Sequence, residues 1–190
     1  MRVLIACEQS GVVRTAFEKM GHDAWSCDII ESDILGQHII QDVREVIYQG
    51  WDLMIAHPPC THLACSGAAH FKKKIKEGKQ QASLDFIRII MNAPIGKICL
   101  ENPVGVISSF IRKPDQIIQP WQFGDEAQKS TCLWLKNLPK LKHTNIVGKG
   151  EFYVSPSGKK MPKWFSDNKS SKIRSKTFQG IANAFAKQWG

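Results

Sequence analysis

Short apolar runs alternate with amphipathic stretches in the first part of the chain. Arg2–Cys7 and Ala24–Ile29 have the pattern of buried strands, and Val12–Met20 between them has apolar residues at helical spacing. Gly21 ends this helix where a C-terminal glycine is expected. The order predicts a βαβ unit with a turn at Gly11, where the first backbone N–H groups of the helix could bind the polar end of a cofactor.

Two later apolar runs end in residues that can do chemistry. Asp52–Ala56 is followed by two prolines, which cannot pair in a sheet, and then by Cys60. Lys97–Leu100 is followed directly by Glu101. Because ligands bind at the carboxyl ends of the strands in an open α/β sheet, the thiol and the carboxylate form one site if these two strands are neighbours.

The rest of the chain contains five weaker elements and one segment of different composition. Pro139–Lys172 is rich in Gly, Ser, Pro, Asn and Lys with isolated aromatic residues, so it is either an irregular loop with tucked-in aromatics or a nucleic-acid surface. The other elements are a strand over Ile39–Val43, a helix over Ala82–Met91, a loop over Gln119–Gly124, a strand over Thr131–Leu135 and a helix over Thr177–Trp189.

Composition limits the class of protein. The 190 residues are most simply one α/β domain, and no apolar run reaches the roughly 20 residues of a membrane span. Glu8 interrupts the first apolar run too early for a signal peptide. The six cysteines form no CxxC pair, which favours reduced thiols and a cytoplasmic location.

Positive charge points to an anionic partner. The net charge is +9 and the isoelectric point is about 9.3, which fits a nucleic-acid partner or a merely solubilising surface. The segment Phe71–Gln81 carries five lysines shortly after Cys60. It is either a solvated run of charge or a mobile loop that contacts phosphate.

Several kinds of chemistry fit the residues around Cys60. A thiolate can act as a nucleophile, and the nearby His57 and His62 leave a Cys-His hydrolase open. Together with Cys60 and Cys65, these two histidines are four potential metal ligands within nine residues. Their spacing matches no zinc knuckle or ribbon, and we expect no metal. A zinc nucleobase deaminase would need a PCxxC pair and an HxE motif that this chain lacks.

Two acidic residues are candidates for binding a nucleoside. Asp28 lies at the end of the second predicted strand, 17 residues after Gly11, where a carboxylate can accept hydrogen bonds from both ribose hydroxyls. Asp42 lies at the end of the third predicted strand and is a candidate partner for an adenine amino group.

Taken in order, these segments resemble the cytosine-C5 methyltransferase family, and most closely its compact members encoded by phages and prophages. The resemblance covers most of the chain outside Pro139–Lys172. The matching segments are the turn Ala6–Gly11 with the helix after it, Asp28, Asp42, the Pro-Cys pair Pro59-Cys60, the Glu-Asn pair Glu101-Asn102, Gln128–Thr131 and Gln179–Ala184.

The resemblance implies a Rossmann-like class I fold, with a mostly parallel sheet and helices on both of its faces. It also implies that the protein binds S-adenosylmethionine and methylates C5 of cytosine in DNA. Cys60 would add to C6 of the ring while Glu101 donates to N3, and a base would later remove the C5 proton. The implied cofactor-binding residues are Cys7, Glu8, Ser10, Gly11, Asp28, Asp42 and Asn183. The implied substrate-binding residues are Pro59, Asn102, Lys129 and Thr131.

The chain also departs from the family pattern. The cofactor loop lacks extra glycines, His57 stands where glycine is usual, and Lys129 and Thr131 stand in place of arginines. Residues 139–172 are a short insert where a large target-recognition domain is expected. Two alternatives therefore stay open. The substrate is a cytosine in a free nucleotide, in single-stranded DNA or in RNA, or the protein is an inactive relative that binds nucleic acid. A methyltransferase of exocyclic amino groups would need an aromatic residue in place of Cys60.

Overall fold

The computed structural model describes residues 1–156, 158 and 160–190. The strands in this part of the chain are β1 Arg2–Ala6, β2 Asp23–Asp28, β3 His38–Ile40, β4 Leu53–Ala56, β5 Lys97–Pro103, β6 Gln116–Ile118, β7 Thr131–Lys136, β8 Phe152–Val154 and β9 Lys160–Pro162. The α-helices are α1 Val12–Lys19, α2 Val43–Val46, α3 Phe71–Lys76, α4 Lys79–Met91, α5 Ile107–Phe110, α6 Lys163–Asp167, α7 Ser171–Ser175 and α8 Gln179–Trp189. Short 3₁₀ helices cover Cys65–His70 and Pro120–Gln122.

Seven of the described strands form one sheet in the order β3-β2-β1-β4-β5-β7-β6. Strands β1 to β5 pair with one another in parallel, and β7 runs antiparallel to both β5 and β6. This confirms the expected mostly parallel sheet. Strands β4 and β5 are direct neighbours with Ala56 opposite Leu100, so the segments that follow them leave the same edge of the sheet.

Helices cover both faces of the sheet because its central strands are apolar on both sides. All four residues of β4 are fully buried, as in a parallel strand with helices on each face. Met54 packs in the cluster that contains Leu84 and Ile87 of α4, and Ile55 packs in the cluster with Phe17 of α1 and Phe185 of α8. The sequence prediction of helices on both faces is confirmed.

The third strand is shorter than predicted. It covers His38–Ile40 rather than Ile39–Val43, and the chain turns into α2 directly after it. Asp42 causes this change, since its side chain accepts a hydrogen bond from the backbone N–H of Arg44 at 2.9 Å and thereby caps α2.

The lysine-rich segment after the Cys60 loop is helical. Helix α3 covers Phe71–Lys76 and α4 begins at Lys79, three residues before the predicted start, so the prediction of a mobile loop is wrong. Lys72 and Lys76 are exposed on α3, which agrees with a solvated run of charge. The predicted loop Gln119–Gly124 likewise contains one 3₁₀ turn.

The insert between β7 and α8 is more ordered than its composition suggests. It contains the β8-β9 hairpin and two short helices. The Trp164 ring contacts those of Phe165 and Phe178, with centroids 5.0 and 5.2 Å apart, whereas Phe152 is 39% exposed beside Lys160. Within the described residues, no helix has the length and apolar character needed to cross a membrane.

Candidate active site

Cys60 and Glu101 approach each other at the shared edge of β4 and β5. Burial raises the pKa of the Cys60 thiol, and the negative charge of Glu101 raises it further. The charges of Lys129 and Lys74 act in the opposite direction. The surroundings of Cys60 therefore favour the protonated thiol.

Backbone and amide hydrogen bonds fasten the Cys60 loop to the segment after Glu101. The side-chain amide of Asn102 donates to the carbonyl of Pro58 at 2.8 Å. Farther along, the Val106 N–H donates to the Leu63 carbonyl at 2.9 Å. These bonds hold the two candidate catalytic residues in one rigid unit, although they come from segments about 40 residues apart.

His57 directly contacts Glu101. Its Nδ1 lies 3.0 Å from Oε2 of Glu101, and the two side chains are 11% and 14% exposed. Burial raises the pKa of Glu101, but the hydrogen bond with His57 and the positive charge that this ring carries when protonated, with smaller contributions from Lys129 and Thr131, hold that pKa below its usual value. Glu101 is thus a carboxylate at neutral pH, with His57 as its closest polar partner.

The predicted substrate-binding residues occupy different positions around this pair. Asn102 is buried behind the Cys60 loop, and Thr131 is buried at the start of β7, where it contributes a hydrogen bond to Glu101. Pro59 is exposed beside Cys60. The ammonium group of Lys129 donates to the backbone carbonyl of Arg174 at 2.7 Å.

A cavity of about 210 Å³ lies beside this site at the ends of β1 and β2. Four of the predicted cofactor-binding residues line it, namely Cys7, Glu8, Ser10 and Asp28. His57 lines it too, so one histidine borders the cavity and also contacts Glu101.

Asp28 is suited to bind a polar ligand in this cavity. Its carboxylate forms no side-chain hydrogen bond within the described residues. Burial raises the pKa of the neighbouring Cys7 thiol, and the negative charge of Asp28 raises it further. Cys7 itself adopts a left-handed backbone conformation with φ 57°. Asp28 therefore lies in the cavity wall, and its ribose-binding role stays a prediction.

Glu8 has a structural contact that the sequence analysis did not predict. Its carboxylate accepts hydrogen bonds from the backbone N–H groups of Val13 and Arg14 at 2.7 and 3.2 Å. Glu8 therefore already satisfies two of the α1 N–H groups that were expected to face a cofactor, and cofactor binding by this turn stays a prediction. Gly11 has φ 69° at the start of this helix, and a Cβ there would lie 2.5 Å from Ile34.

Residues 171–177, which we call the strap, cover the cavity from the insert side. Lys172 and Lys176 both pair with Asp33, at 2.7 and 3.1 Å, and their hydrogen bonds lower the pKa of that carboxyl. The sequence pattern gave no signal for Asp33, since it lies in a polar loop and meets the strap only through the fold. Another missed residue is Arg14, fully buried, whose guanidinium donates to the Leu35 carbonyl at 2.7 Å and orders that loop.

Three predicted cofactor residues do not line the cavity. Gly11 shapes the turn next to it, and Asp42 holds the guanidinium of Arg44 through hydrogen bonds that lower the Asp42 pKa. Asn183 is exposed on α8 and accepts a hydrogen bond from Gln179 at 2.9 Å. In the part of the chain that the structure describes, no three His, Cys, Asp or Glu side chains are grouped as metal ligands.

Comparison with known proteins identifies the fold. No protein-family model and no curated protein matches the sequence. A methyltransferase of Entamoeba histolytica superposes with a TM-score of 0.54 at 14% identity, over 77% of this chain and 57% of its own. A prophage protein of Escherichia coli, provisionally described as a DNA modification methyltransferase, gives a TM-score of 0.48 at 15% identity, over 71% of this chain and 46% of its own. This chain therefore spans about half the length of the solved structures it matches, and it has the Rossmann-like class I methyltransferase fold.

Proposed function

We propose that this protein is a methyltransferase that uses S-adenosylmethionine and acts on C5 of cytosine in DNA through a covalent adduct with Cys60. The observation that carries the proposal is the meeting of Cys60 and Glu101 beside the cavity lined by Cys7 and Asp28. Nucleophile, carboxyl group and cofactor cleft lie at the carboxyl ends of adjacent strands, where ligands bind in this class of sheet.

The residues of the cavity fit the proposed cofactor. The Asp28 carboxylate, which has no side-chain hydrogen bond among the described residues, would bind the ribose hydroxyls, and Cys7 and Ser10 form the wall at the end of β1. The Nε2 atom of His57 is buried at this wall without a hydrogen-bond partner among the described residues. When bound, S-adenosylmethionine supplies an electrophilic methyl group at this edge of the sheet.

In the proposed reaction, the proton of the Cys60 thiol passes to the Glu101 carboxylate, and Sγ bonds to C6 of the pyrimidine while Glu101 passes that proton on to N3. Protonation of Glu101 also removes the negative charge that raises the pKa of the Cys60 thiol, which favours the thiolate. C5 becomes electron-rich and accepts the methyl group. A base then removes the C5 proton, the Sγ–C6 bond breaks, and the N3 proton returns through Glu101 to the thiolate.

Nucleic acid as the partner is supported by the distribution of charge. Lys72 and Lys76 are exposed on α3, directly after the Cys60 loop, and form no ion pair within the described residues. The ammonium groups of Lys149 and Lys160 lie over the rings of Trp121 and Phe152, respectively. Such a mixture of basic and aromatic groups is typical of protein surfaces that bind nucleic acid. A cytoplasmic location belongs to the same proposal and agrees with six cysteines that are free thiols.

A second candidate is cytosine outside a duplex. The insert between β7 and α8 offers a two-stranded hairpin and two short helices as its reading surface, which favours single-stranded DNA, RNA or a free nucleotide. In a duplex, the base would have to leave the stack before it could reach Cys60.

The test combines binding with transfer. Calorimetry first measures the affinity for S-adenosylmethionine, and tritium transfer is then measured with duplex DNA, single-stranded DNA, RNA and deoxycytidine monophosphate. Cys60→Ser should abolish transfer and leave cofactor binding intact, whereas Cys65→Ser, an exposed thiol in the same loop, should retain transfer. Equal transfer by Cys60→Ser and the wild type would contradict the proposal.

A trapping experiment tests the adduct itself. DNA that contains 5-fluorocytosine keeps the Sγ–C6 bond, because fluorine cannot leave C5 as a proton does. Mass spectrometry should find the oligonucleotide on the peptide that contains Cys60 and should find no such product with Cys60→Ser. An adduct on Cys65 would show that Cys65, and not Cys60, is the nucleophile, which would contradict the proposal.

A further inference from the structure

We infer that His57 is a positioning residue that couples the cofactor cavity to Glu101. The inference rests on the proposed function, because it takes the ligand of the cavity to be S-adenosylmethionine or its demethylated product. It goes beyond that proposal by giving a role to a residue that stands where the resembling family usually has glycine.

The ring of His57 is held between two regions of the site. Its backbone N–H donates to the Ala6 carbonyl at 2.9 Å, which fixes the residue at the tips of β1 and β4. Its Nδ1 lies 3.0 Å from the carboxylate of Glu101 on β5. With the side chain only 11% exposed, the ring has little freedom to choose another partner.

The second ring nitrogen of His57, Nε2, differs from Nδ1 in its surroundings. Nε2 of His57 is buried and has no hydrogen-bond partner among the described residues, yet His57 lines the cavity together with Cys7 and Asp28. A buried polar atom without a partner is unfavourable, because it has lost its hydrogen bonds to water. A ligand in the cavity that offers an N–H or O–H group to Nε2 would replace one of those hydrogen bonds.

The two nitrogens cannot act independently. When Nδ1 carries the hydrogen that it donates to the Glu101 carboxylate, Nε2 of the neutral ring is an acceptor. A donor on the ligand, such as the ammonium group of the amino-acid portion or a ribose hydroxyl, therefore favours the tautomer that orients Glu101. The His57 ring therefore couples two events. When a ligand fills the cavity, the same ring fixes the orientation of the Glu101 carboxyl group.

A double-mutant cycle on ligand affinity tests this coupling without any methyl transfer. Calorimetry with S-adenosylhomocysteine compares the wild type, His57→Gln, Glu101→Gln and the double variant. Glu101 does not line the cavity, so its replacement should weaken binding about fivefold when His57 is present and less than about twofold when it is absent. Equal effects of Glu101→Gln in both backgrounds would overturn the inference.

A spectroscopic measurement gives an independent readout. ¹⁵N signals of the histidine rings should show Nε2 of His57 changing on addition of S-adenosylhomocysteine, with Nδ1 keeping its hydrogen. His62 provides a matched control, because its Nδ1 is also buried without a partner in the described residues, but it does not line the cavity. A change at His62 equal to that at His57 would contradict a specific contact.

The two levels of the proposal fail in different ways. If the wild type binds the ligand and Asp28→Ala weakens binding, but neither the affinity of His57→Gln nor the ring signals of His57 change, the coupling alone is wrong. If the wild type shows no binding at all, the cofactor assignment is wrong and the coupling falls with it.

Discussion

The side-chain amide of Asn102 donates a hydrogen bond to the backbone carbonyl of Pro58 at 2.8 Å. Asn102 is 1% exposed and directly follows Glu101, and Pro58 lies two residues before Cys60. One bond thus sets the spacing between the nucleophile loop and the strand that carries the carboxyl group. The geometry of Cys60 and Glu101 therefore depends on Asn102, which need not contact the substrate.

Asn102→Ala should lower both stability and transfer. Removal of the amide leaves the buried Pro58 carbonyl unpaired, at a cost of about 1–3 kcal/mol, and lets Cys60 drift from Glu101, so transfer should fall about tenfold or more. Asn92→Ala is the matched control, since the exposed Asn92 amide also donates to a backbone carbonyl, that of Arg88, at 2.9 Å. Equal transfer by the two variants would show that the Asn102 bond does not position the site.

Glu101→Gln should make Cys60 more reactive toward alkylation while it slows methyl transfer. The Glu101 charge raises the pKa of the Cys60 thiol, so its removal lowers that pKa and increases the thiolate fraction at any pH below it. Iodoacetamide modification followed by mass spectrometry measures Cys60, with the exposed Cys65 as internal standard. Slower alkylation of Cys60 in Glu101→Gln would contradict this electrostatic coupling.

Local pattern predicted the end of β4 well, because this strand is short and apolar and is followed by two prolines. Strand β5 is longer than the predicted Lys97–Leu100, since its pairing with β7 continues to Pro103. Cys60 and Glu101 were placed at strand ends from the sequence, and the pairing of β4 with β5 then brings those ends together. Asp33 could not be predicted in this way. Its partners Lys172 and Lys176 lie about 140 residues farther along, and no periodicity links a polar loop to a distant strap.

Two side chains that the sequence analysis assigned to ligands have a backbone contact that it did not predict. Glu8 binds N–H groups at the start of α1, and Asp42 binds one at the start of α2. An acidic residue before a helix can cap it or bind a ligand, and residue type alone does not distinguish the two. His57 shows the converse, since its contact with Glu101 and its place in the cavity wall become visible only in the fold.

Gly105→Ala should displace the Cys60 loop. A Cβ at Gly105 would lie 2.1 Å from the backbone oxygen of Leu63, where an isolated bridge joins Gly105 to Ala64. Backbone atoms cannot turn aside as a side chain can, so the variant should lose about 1–3 kcal/mol of stability and most of its transfer. Gly96→Ala is the control, because a Cβ there meets nothing within 4 Å. Thermal unfolding and tritium transfer measure both, and equal values for the two variants would contradict the expected clash.

Asp33→Asn should speed the dissociation of S-adenosylhomocysteine. In the wild type, one carboxylate holds both Lys172 and Lys176 of the strap over the cavity, and the amide cannot form either ion pair. Because the lysines are about half exposed, each pair is worth little, and we expect the dissociation rate to rise about threefold to tenfold. Asp85→Asn, which removes a surface pair with Arg88, should leave the rate unchanged.

The dependence of that rate on salt separates the strap from a direct contact between Asp33 and the ligand. Salt screens partly exposed ion pairs, so dissociation from the wild type should become faster between about 0.05 and 0.5 M salt. Dissociation from Asp33→Asn should already be fast and should change little over the same range, because the pairs that salt weakens are gone. Stopped-flow displacement measures both rates. If the two proteins respond to salt alike, the ion pairs do not hold the ligand in, and Asp33 acts only as part of the cavity wall.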